Sequence, residues 1–278
     1  MSFSGLDLTL FSGADSSGSS ASDAILNALY SSGGSGGDPV QVLQVAQATQ
    51  AQEVQLTEQQ PSVARDISAF EAAVKSATSP AQLLADPTVQ KVLLTASGMS
   101  DQIGFTALAT QALLSNPADS NALVNQLSDT RWLTVNQTYN FATQGLSVIQ
   151  QPSVLNDIAS SYAQQVWYRS LNQTTPGLSN ALEFIGQASG ITSAAQILSN
   201  PTYFDVVTTA LNIPQQIVFQ DQPAQEQAIN AALDIARLNQ PSYVQGITDQ
   251  YLIAMQQQSS GTTTSLDSLA VQAAGLIA

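Results

Sequence analysis

The sequence predicts an all-α, multihelical fold that contains an internal duplication (about residues 78–103 and 192–217) and has flexible or assembly-ordered termini. Three observations predict it. Apolar residues recur three and four positions apart along most of the chain, which is the spacing of one face of an α-helix. A polar residue followed by proline, a signature of helix starts, recurs several times. Stretches of Gly, Ser and Thr near both ends have the composition of flexible linkers.

These patterns divide the chain into four predicted parts: a flexible N-terminal segment (1–37), a first helical repeat half (38–150), a second helical repeat half (151–258), and a linker with a C-terminal amphipathic helix (259–278). In the first part, Leu6, Leu8 and Leu10 alternate with polar residues, which is a weak strand pattern. The Gly/Ser-rich residues 31–37 then form a predicted linker.

A long helix is predicted from Pro39 to about Gln59. Asp38 would be its N-cap and Pro39 its first residue. Proline is favourable at that position because the N–H that it lacks would have no partner within the helix. Pro61 would end it, because proline cannot continue a helix. Further helices with short, capped connections follow to about Gln258.

The C-terminal part combines a predicted linker, Ser259 to Thr264, with a short helix. Its apolar residues lie three to four positions apart, which places them on one face. They are Leu266, Leu269, Ala273, Leu276 and Ile277.

Residues 78–103 and 192–217 carry the predicted duplication. They read TSPAQLLADPTVQKVLLTASGMSDQI and TSAAQILSNPTYFDVVTTALNIPQQI, and 12 of the 26 positions are identical without a gap. The offset of 114 also relates Phe70 to Phe184 and Phe105 to Phe219. Self-similarity at a fixed offset indicates repeated supersecondary units.

Each predicted unit is a short helix, a tight turn and an amphipathic helix. Ser79 and Ser193 would cap the short helices. Asp86-Pro87 and Asn200-Pro201 would cap and begin the next ones. Gly98 and Pro214 follow these helices, at places where a helix stops. Neither unit could bury its apolar face alone, so the units are expected to pack on each other or on neighbouring helices.

Several segments resemble an uncharacterised family of bacterial multihelical proteins that are often encoded in flagellar gene clusters. The segments are residues 62–67 leading into the turn at Ser79-Pro80, residues 85–94, residues 127–132, and residues 175–182 continuing to 197–201. The resemblance covers about residues 38–255. It implies an all-helical fold and a link to the flagellum, and it supplies no catalytic residues.

Composition limits the chemistry. The 278 residues include 6 Lys and Arg, 20 Asp and Glu, and neither His nor Cys, which gives a net charge of −14. Charged residues make up 9%, against about 25% in ordinary globular chains. Cys/His zinc sites, disulfides, thiolate nucleophiles and Ser-His triads are therefore excluded. We predict no enzyme activity, no metal site and no cofactor.

Partners are constrained by the same composition. The six basic residues are scattered singly, whereas nucleic-acid binding needs clusters of them; they are Arg65, Lys75, Lys91, Arg131, Arg169 and Arg237. The sequence has no run of about 18 apolar residues, so we predict no membrane insertion. Residues 1–6 do not resemble a Sec signal peptide. A weakly charged Gln/Ser/Asn/Thr surface suits self-association, because few ions must be desolvated at contacts.

Four residues are candidates for either a functional or a structural role. Glu183 lies in an apolar stretch that could raise its pKa, but the favoured interpretation is a surface or ion-paired residue that flanks a helix. Trp132 and Trp167 could be carbohydrate platforms, but their apolar helical contexts favour core anchors. Arg131 is expected to have a structural role, paired with Asp129 or with a helix end.

The function that the sequence predicts is a secreted structural or assembly protein of a bacterial surface filament, flagellum-associated, acting through homo- or hetero-subunit packing. Other filament or flagellar components are further candidate partners. The candidate assembly contacts are Leu6, Leu8, Leu10, Leu266, Leu269, Leu276 and Ile277. The location would be the cell surface or outside; a cytoplasmic location is the alternative. The alternative function is a soluble helical adaptor or chaperone-like module that binds a partner helix.

Overall fold

A computed structural model describes the backbone of residues 38–275 and the side chains of residues 38–259. The described residues form helices and connecting turns, with no strand among them, so the all-α prediction is confirmed. The α-helices are α1 (Pro39–Glu58), α2 (Pro61–Ser76), α3 (Pro80–Leu84), α4 (Pro87–Ala96), α5 (Thr106–Leu114), α6 (Leu123–Gln126), α7 (Arg131–Tyr139), α8 (Phe141–Gln144), α9 (Pro152–Thr174), α10 (Leu178–Gln187), α11 (Ala194–Ser199), α12 (Pro201–Ala210), α13 (Gln222–Ala232) and α14 (Pro241–Gly275). Short 3-10 turns lie at Ser100–Gln102, Ala188–Gly190, Gln215–Phe219 and Ile235–Asn239.

Proline marks most helix starts. Eight of the eleven prolines lie in the first two residues of a described α-helix, where the missing N–H would have no partner in the helix. Asp38 caps α1 by accepting a hydrogen bond from the Val40 amide at 3.0 Å. Asp86 caps α4 in the same way, through the Thr88 amide at 2.7 Å. The predicted long helix is thus confirmed to within one residue of its end.

Two long helices organise the core. Helix α9 packs on α4 and α1, and helix α14 packs on α12, α10 and α1. The buried side chains form one connected cluster. Trp132 and Trp167 are 1% and 4% exposed within it, so both are core anchors.

The two predicted repeat segments have the same local structure. The Thr78 amide donates to the Gln82 side-chain oxygen at 2.9 Å. At the positions 114 residues later, the Thr192 amide donates to the Gln196 side-chain oxygen at 2.7 Å. The intervening serines cap α3 and α11, as predicted. An origin of the two segments by duplication stays a prediction from the sequence.

The helix ends also correspond. Met99 donates its amide to the Leu94 carbonyl at 2.8 Å, which is the 6→1 bond of a Schellman turn. Gly98 precedes Met99 with a φ of 69°. The position 114 residues later is Asn212, with a φ of 51°. Helix α12 ends at Ala210, and Asn212 provides the left-handed residue that follows it, two residues before the predicted stop signal at Pro214, because Asn is one of the few residues besides Gly that tolerate this conformation.

A buried polar contact fastens α14 to the core. The Tyr251 hydroxyl donates to Asp205 Oδ2 of α12 at 2.7 Å, and Asn180 Nδ2 of α10 donates to the same oxygen at 3.0 Å. Burial raises the pKa of Tyr251, and the hydrogen bond to Asp205 raises it further. The phenol therefore stays a hydrogen-bond donor at physiological pH.

A related contact fastens α9. The Tyr162 hydroxyl and Lys91 Nζ both donate to Asp66 Oδ2, each at 2.6 Å. Burial alone would raise the pKa of Asp66, but these two hydrogen bonds outweigh it and lower the pKa. Both long helices are thus joined to the core through a tyrosine that lies about three turns from the helix start.

The C-terminal segment differs from its prediction. Residues 259–264, predicted as a flexible linker, lie inside helix α14, which runs without a break to Gly275. Threonine and glycine disfavour a helix by only about 0.5–1 kcal/mol each, and extending an existing helix avoids the unfavourable nucleation step. With no proline after Pro241, nothing stops the helix sterically.

Several predictions fall outside the described structure. Leu6, Leu8 and Leu10 lie in residues 1–37, and Leu276 and Ile277 lie beyond residue 275, all outside the described residues. Leu266 and Leu269 have described helical backbone only. The division at residues 150 and 258 stays a prediction. No helix in the described part of the chain is long and apolar enough to cross a membrane.

Candidate functional site

A half-open polar cavity lies where the C-terminus of α4 meets α7, α9, α10 and the α11–α12 turn. Its volume is about 510 Å³, within the range of small-molecule sites. Its buried wall comprises Arg131, Val135, Tyr139, Ile191 and Asn200, and its exposed rim comprises Thr130, Thr134, Thr138, Gln187 and Gln196. We call it the central cavity.

Arg131 joins three separate segments at the edge of the central cavity. Its Nε and Nη2 atoms bind Asp129 at 2.7–3.1 Å. Its Nη1 and Nη2 atoms bind Asp101 at 3.1 and 2.8 Å, and Nη1 also donates to the Gly98 carbonyl at 2.8 Å. The five N–H groups of a guanidinium are therefore all engaged.

The charge of Arg131 is held permanently. Burial alone would lower the pKa of Arg131, but the hydrogen bonds with Asp129 and Asp101 raise it above its ordinary value. The pKa of Asp101 is lowered because its bond with Arg131 outweighs its own desolvation. The predicted structural role of Arg131 and its pairing with Asp129 are confirmed; Asp101 and Gly98 are additional partners.

Glu183 is placed against the same helix end. A Cβ atom added to Gly98 would lie 3.2 Å from Glu183 Oε1, so the carboxyl group approaches the Gly98 backbone closely. With its φ of 69°, Gly98 both ends α4 and leaves room for this carboxyl group. The Gly98 carbonyl meanwhile accepts from Arg131.

The Glu183 carboxyl has a pKa of about 7, raised from 4.5. Desolvation by burial is the largest cause; the Arg131 charge and a hydrogen bond from Thr202 lower the pKa, and the Asp101 charge raises it. Among the described side chains Glu183 has no ion pair. The raised pKa agrees with its apolar neighbours, and Glu183 is a half-buried residue of the cavity wall that has no ion pair among the described side chains.

This pKa makes stability depend on pH. Because the folded-state pKa lies above the unfolded value, the contribution of the protonated carboxyl is fully present below pH 4.5 and is lost as the pH rises through about 7. Glu183→Gln removes the buried charge, so we expect it to stabilise the protein by about 2 kcal/mol at pH 8 and to have little effect at pH 4.5.

Urea unfolding of the wild type and the variant at several pH values would measure this difference. Asp157→Asn is the matched control, because Asp157 is an exposed acid on α9. A Glu183→Gln effect that does not change between pH 4.5 and 8 would contradict a raised pKa.

The chemistry that the central cavity offers is binding and proton uptake. Among the described side chains that line it, Glu183 is the group with a pKa near neutrality, because burial raises the pKa of Tyr139 and Tyr203 to about 12. No group of three or more acidic residues in the described part of the chain could hold a metal ion. That the protein lacks enzyme activity stays a prediction.

Comparisons with known proteins agree with the helical architecture. Comparison with curated proteins gives no match. The crystal structure of protein AGR_C_984 from Agrobacterium tumefaciens is similar with a TM-score of 0.69 and 21% identity, over 81% of this chain and 97% of the other. At that identity the similarity shows a shared fold alone.

A family model matches residues 96–244, the region that contains Gly98, Arg131, Glu183 and the other residues of the central cavity. This match spans more than half of the chain. The chain therefore belongs to the family described as "protein of unknown function (DUF1217)".

Proposed function

We propose that this chain is a secreted structural or assembly protein of a bacterial surface filament that acts through subunit packing. Helix α14 carries the proposal. Among the described side chains of this helix, the last apolar one that packs against the core is Met255, and residues 257–259 are exposed. The helical backbone nevertheless continues to Gly275, 20 residues beyond Met255 and about 30 Å along the axis.

The Gly, Ser and Thr residues of this extension have low helix propensity, and most helical stability in proteins comes from the packing of an apolar face. The sequence of this extension has apolar residues at the alternating spacing of three and four that is typical of helix-to-helix seams: Leu266, Leu269, Ala273 and Leu276. A second helix covering this seam would supply the free energy that orders the segment. The candidate assembly contacts remain Leu266, Leu269, Leu276 and Ile277 of the C-terminal stretch, together with Leu6, Leu8 and Leu10 of the N-terminal stretch.

Exposed aromatic residues on the body also support subunit contacts. Phe105 and Phe219, which are 114 positions apart, are 58% and 87% exposed. Each follows the second helix of a repeat segment. Large exposed apolar side chains are typical of interaction sites when they cluster, and Val218 and Ile103 next to them are also exposed. The proposed link to the flagellum rests on the sequence resemblance.

The proposal is tested by removing each terminal segment. Deleting residues 259–278 or 1–37 is expected to abolish export or polymerisation while the unfolding temperature of the body stays within a few degrees of that of the full chain. Light scattering and electron microscopy of the secreted protein would measure particle size. Unchanged secretion and unchanged particle size in both truncations would contradict the proposal.

Leu266→Asp together with Leu269→Asp is a sharper variant, and Ser265→Asp with Ser268→Asp is its matched control. Both pairs add two charges to the same segment. Only the leucine pair removes the apolar seam, so only that pair is expected to reduce assembly. An equal loss in both variants would indicate a charge effect and not a packing contact.

One groove favours the alternative function, a helical adaptor. It has a volume of about 490 Å³ and lies between α2 and the start of α9. Val74 and Leu155 contribute apolar walls, and Glu71 and Lys75 flank it, which is an arrangement that can accept an amphipathic helix. Native mass determination separates the two functions, since a defined heteromer would support the adaptor and large homo-polymers the filament protein.

A further inference from the structure

We infer that the central cavity is a binding site for a small organic cation of the primary-amine class, whose ammonium group is held by the Glu183 carboxylate. The inference is independent of the proposed filament function. It stands on the volume of the central cavity, on the placement of Glu183 in its wall and on the lack, among the described side chains, of an ion pair to this carboxylate.

Arg131 cannot form a hydrogen-bonded ion pair with the Glu183 carboxylate. All five of its N–H groups bind Asp129, Asp101 or the Gly98 carbonyl, so none is left for Glu183 or for an anionic ligand. One positive and two negative charges also leave this cluster net negative. A ligand of opposite charge is therefore favoured, and a carboxylate or phosphate ligand is disfavoured.

The other groups around Glu183 form no ion pair with it, and this includes Arg169 of α9, which lines the adjoining groove together with Glu183. Tyr168 of α9 and Tyr203 of α12 are close enough to interact with its charge, and both keep their protons because burial raises their pKa values to about 12. Thr202 provides a single hydrogen bond. Asp101, on the turn after α4, is a further negative charge. An ionised Glu183 is thus a desolvated carboxylate with an incomplete hydrogen-bond shell, and an ammonium group supplies both the charge and the donors that it lacks.

The remaining walls fit an organic amine better than a bare metal ion. A metal such as Ca²⁺ needs six to eight oxygen ligands, and no acidic group of that kind exists among the described side chains. Tyr139 and Tyr203 line the central cavity, and aromatic rings attract organic cations. Gln164 and Asn200 add amide groups that can hydrogen-bond to polar substituents.

Putrescine is a suitable probe, because it is a small diamine that fits the volume. 1,4-Butanediol is its uncharged match and butyrate an anionic match. Isothermal titration at 0.15 M salt, where attraction to distant surface charges is screened, should show binding of putrescine and neither of the others. Glu183→Gln should weaken that binding at least tenfold, whereas Asp234→Asn, at an exposed acid that does not line the cavity, should leave it unchanged.

The wild-type protein gives a second readout that does not depend on a variant. Only the ionised carboxyl binds the cation, and with a pKa of about 7 its ionised fraction rises from about 0.1 at pH 6 to about 0.9 at pH 8. Affinity should therefore increase about tenfold over that interval. At pH 7, binding should release about half a proton, measured in buffers of different ionisation enthalpy.

Three results would each overturn the inference: no binding of putrescine, equal binding of 1,4-butanediol, or binding that is unchanged in Glu183→Gln. Binding that survives in Glu183→Gln and is lost in Asp101→Asn would place the amine on the exposed side of the Arg131 cluster, which also contradicts a site at Glu183. Assembly need not be measured in any of these experiments, so a failure here does not bear on the filament proposal.

Discussion

Gly177→Ala is expected to destabilise the protein by about 4 kcal/mol. Gly177 has a φ of 85°, in the region that L side chains rarely adopt, and an alanine there costs roughly 1–3 kcal/mol in backbone strain. Its Cβ atom would also lie 2.9 Å from Tyr251 Cε1 and 3.0 Å from Met255 Cγ. Overpacking against a buried ring adds roughly 1–3 kcal/mol.

The reason for this large effect is that Tyr251 cannot move away. Its hydroxyl is held by Asp205 and Asn180, and its ring is fully buried. Relief of the clash would require α14 to shift on α10 and α12. The Gly177 amide donates to Asn172 Oδ1 at 2.7 Å in the turn before α10. The packing of α14 on the core therefore depends on the close contact with this turn.

Urea denaturation would measure the change, with Gly186→Ala as the control. Gly186 lies inside α10, and the space that an alanine methyl group would occupy there is open, so alanine should stabilise by roughly 0.5–1 kcal/mol. If both substitutions changed the free energy of unfolding alike, the close contact between Gly177 and Tyr251 would be refuted.

Arg131→Leu is expected to destabilise the protein by about 3 kcal/mol. It leaves the Asp129 carboxylate and the Gly98 carbonyl without their donor, and removing one partner of a buried ion pair typically costs about 3–5 kcal/mol. The lower end applies because the side chain of Asp101 is 51% exposed and regains water.

The same substitution should change Glu183. Because the Arg131 charge lowers the pKa of Glu183, its loss should raise that pKa above 7, and carboxyl ¹³C chemical shifts followed against pH would detect the change. Arg65→Leu is the control for loss of a positive charge, since Arg65 is exposed and lines neither pocket that contains Glu183. A Glu183 pKa that stays at its wild-type value in Arg131→Leu would show that the two groups do not interact.

Local features of the sequence predict the helices well. Asp38, Asp86 and Ser193 form cap hydrogen bonds to amides only two or three residues away, so the residues that determine the contact are adjacent in the chain. The buried positions of Trp132 and Trp167 follow from apolar neighbours in the same way. The linker prediction for residues 259–264 is wrong, because composition measures a weak preference that an adjoining helix can override.

The sequence predicts only some of the contacts in the candidate site. The position of Glu183 between Leu182 and Phe184 indicates a raised pKa, and Asp129 is the expected partner of Arg131. Asp101 is 30 positions from Arg131, and no periodic signal connects them. The sequence around an isolated acidic residue in a turn does not indicate which arginine it will bind.

The amino-acid sequence by itself determined where the proline-marked helices begin and which chemistries the lack of His and Cys excludes, because these properties depend on residue types and on neighbours within one or two turns. Only the tertiary structure decided that Gly98, Arg131 and Glu183 meet in one wall and that Gly177 faces Tyr251. Such contacts depend on how helices far apart in the chain pack together, and the pKa of Glu183 depends in turn on how much water that packing excludes.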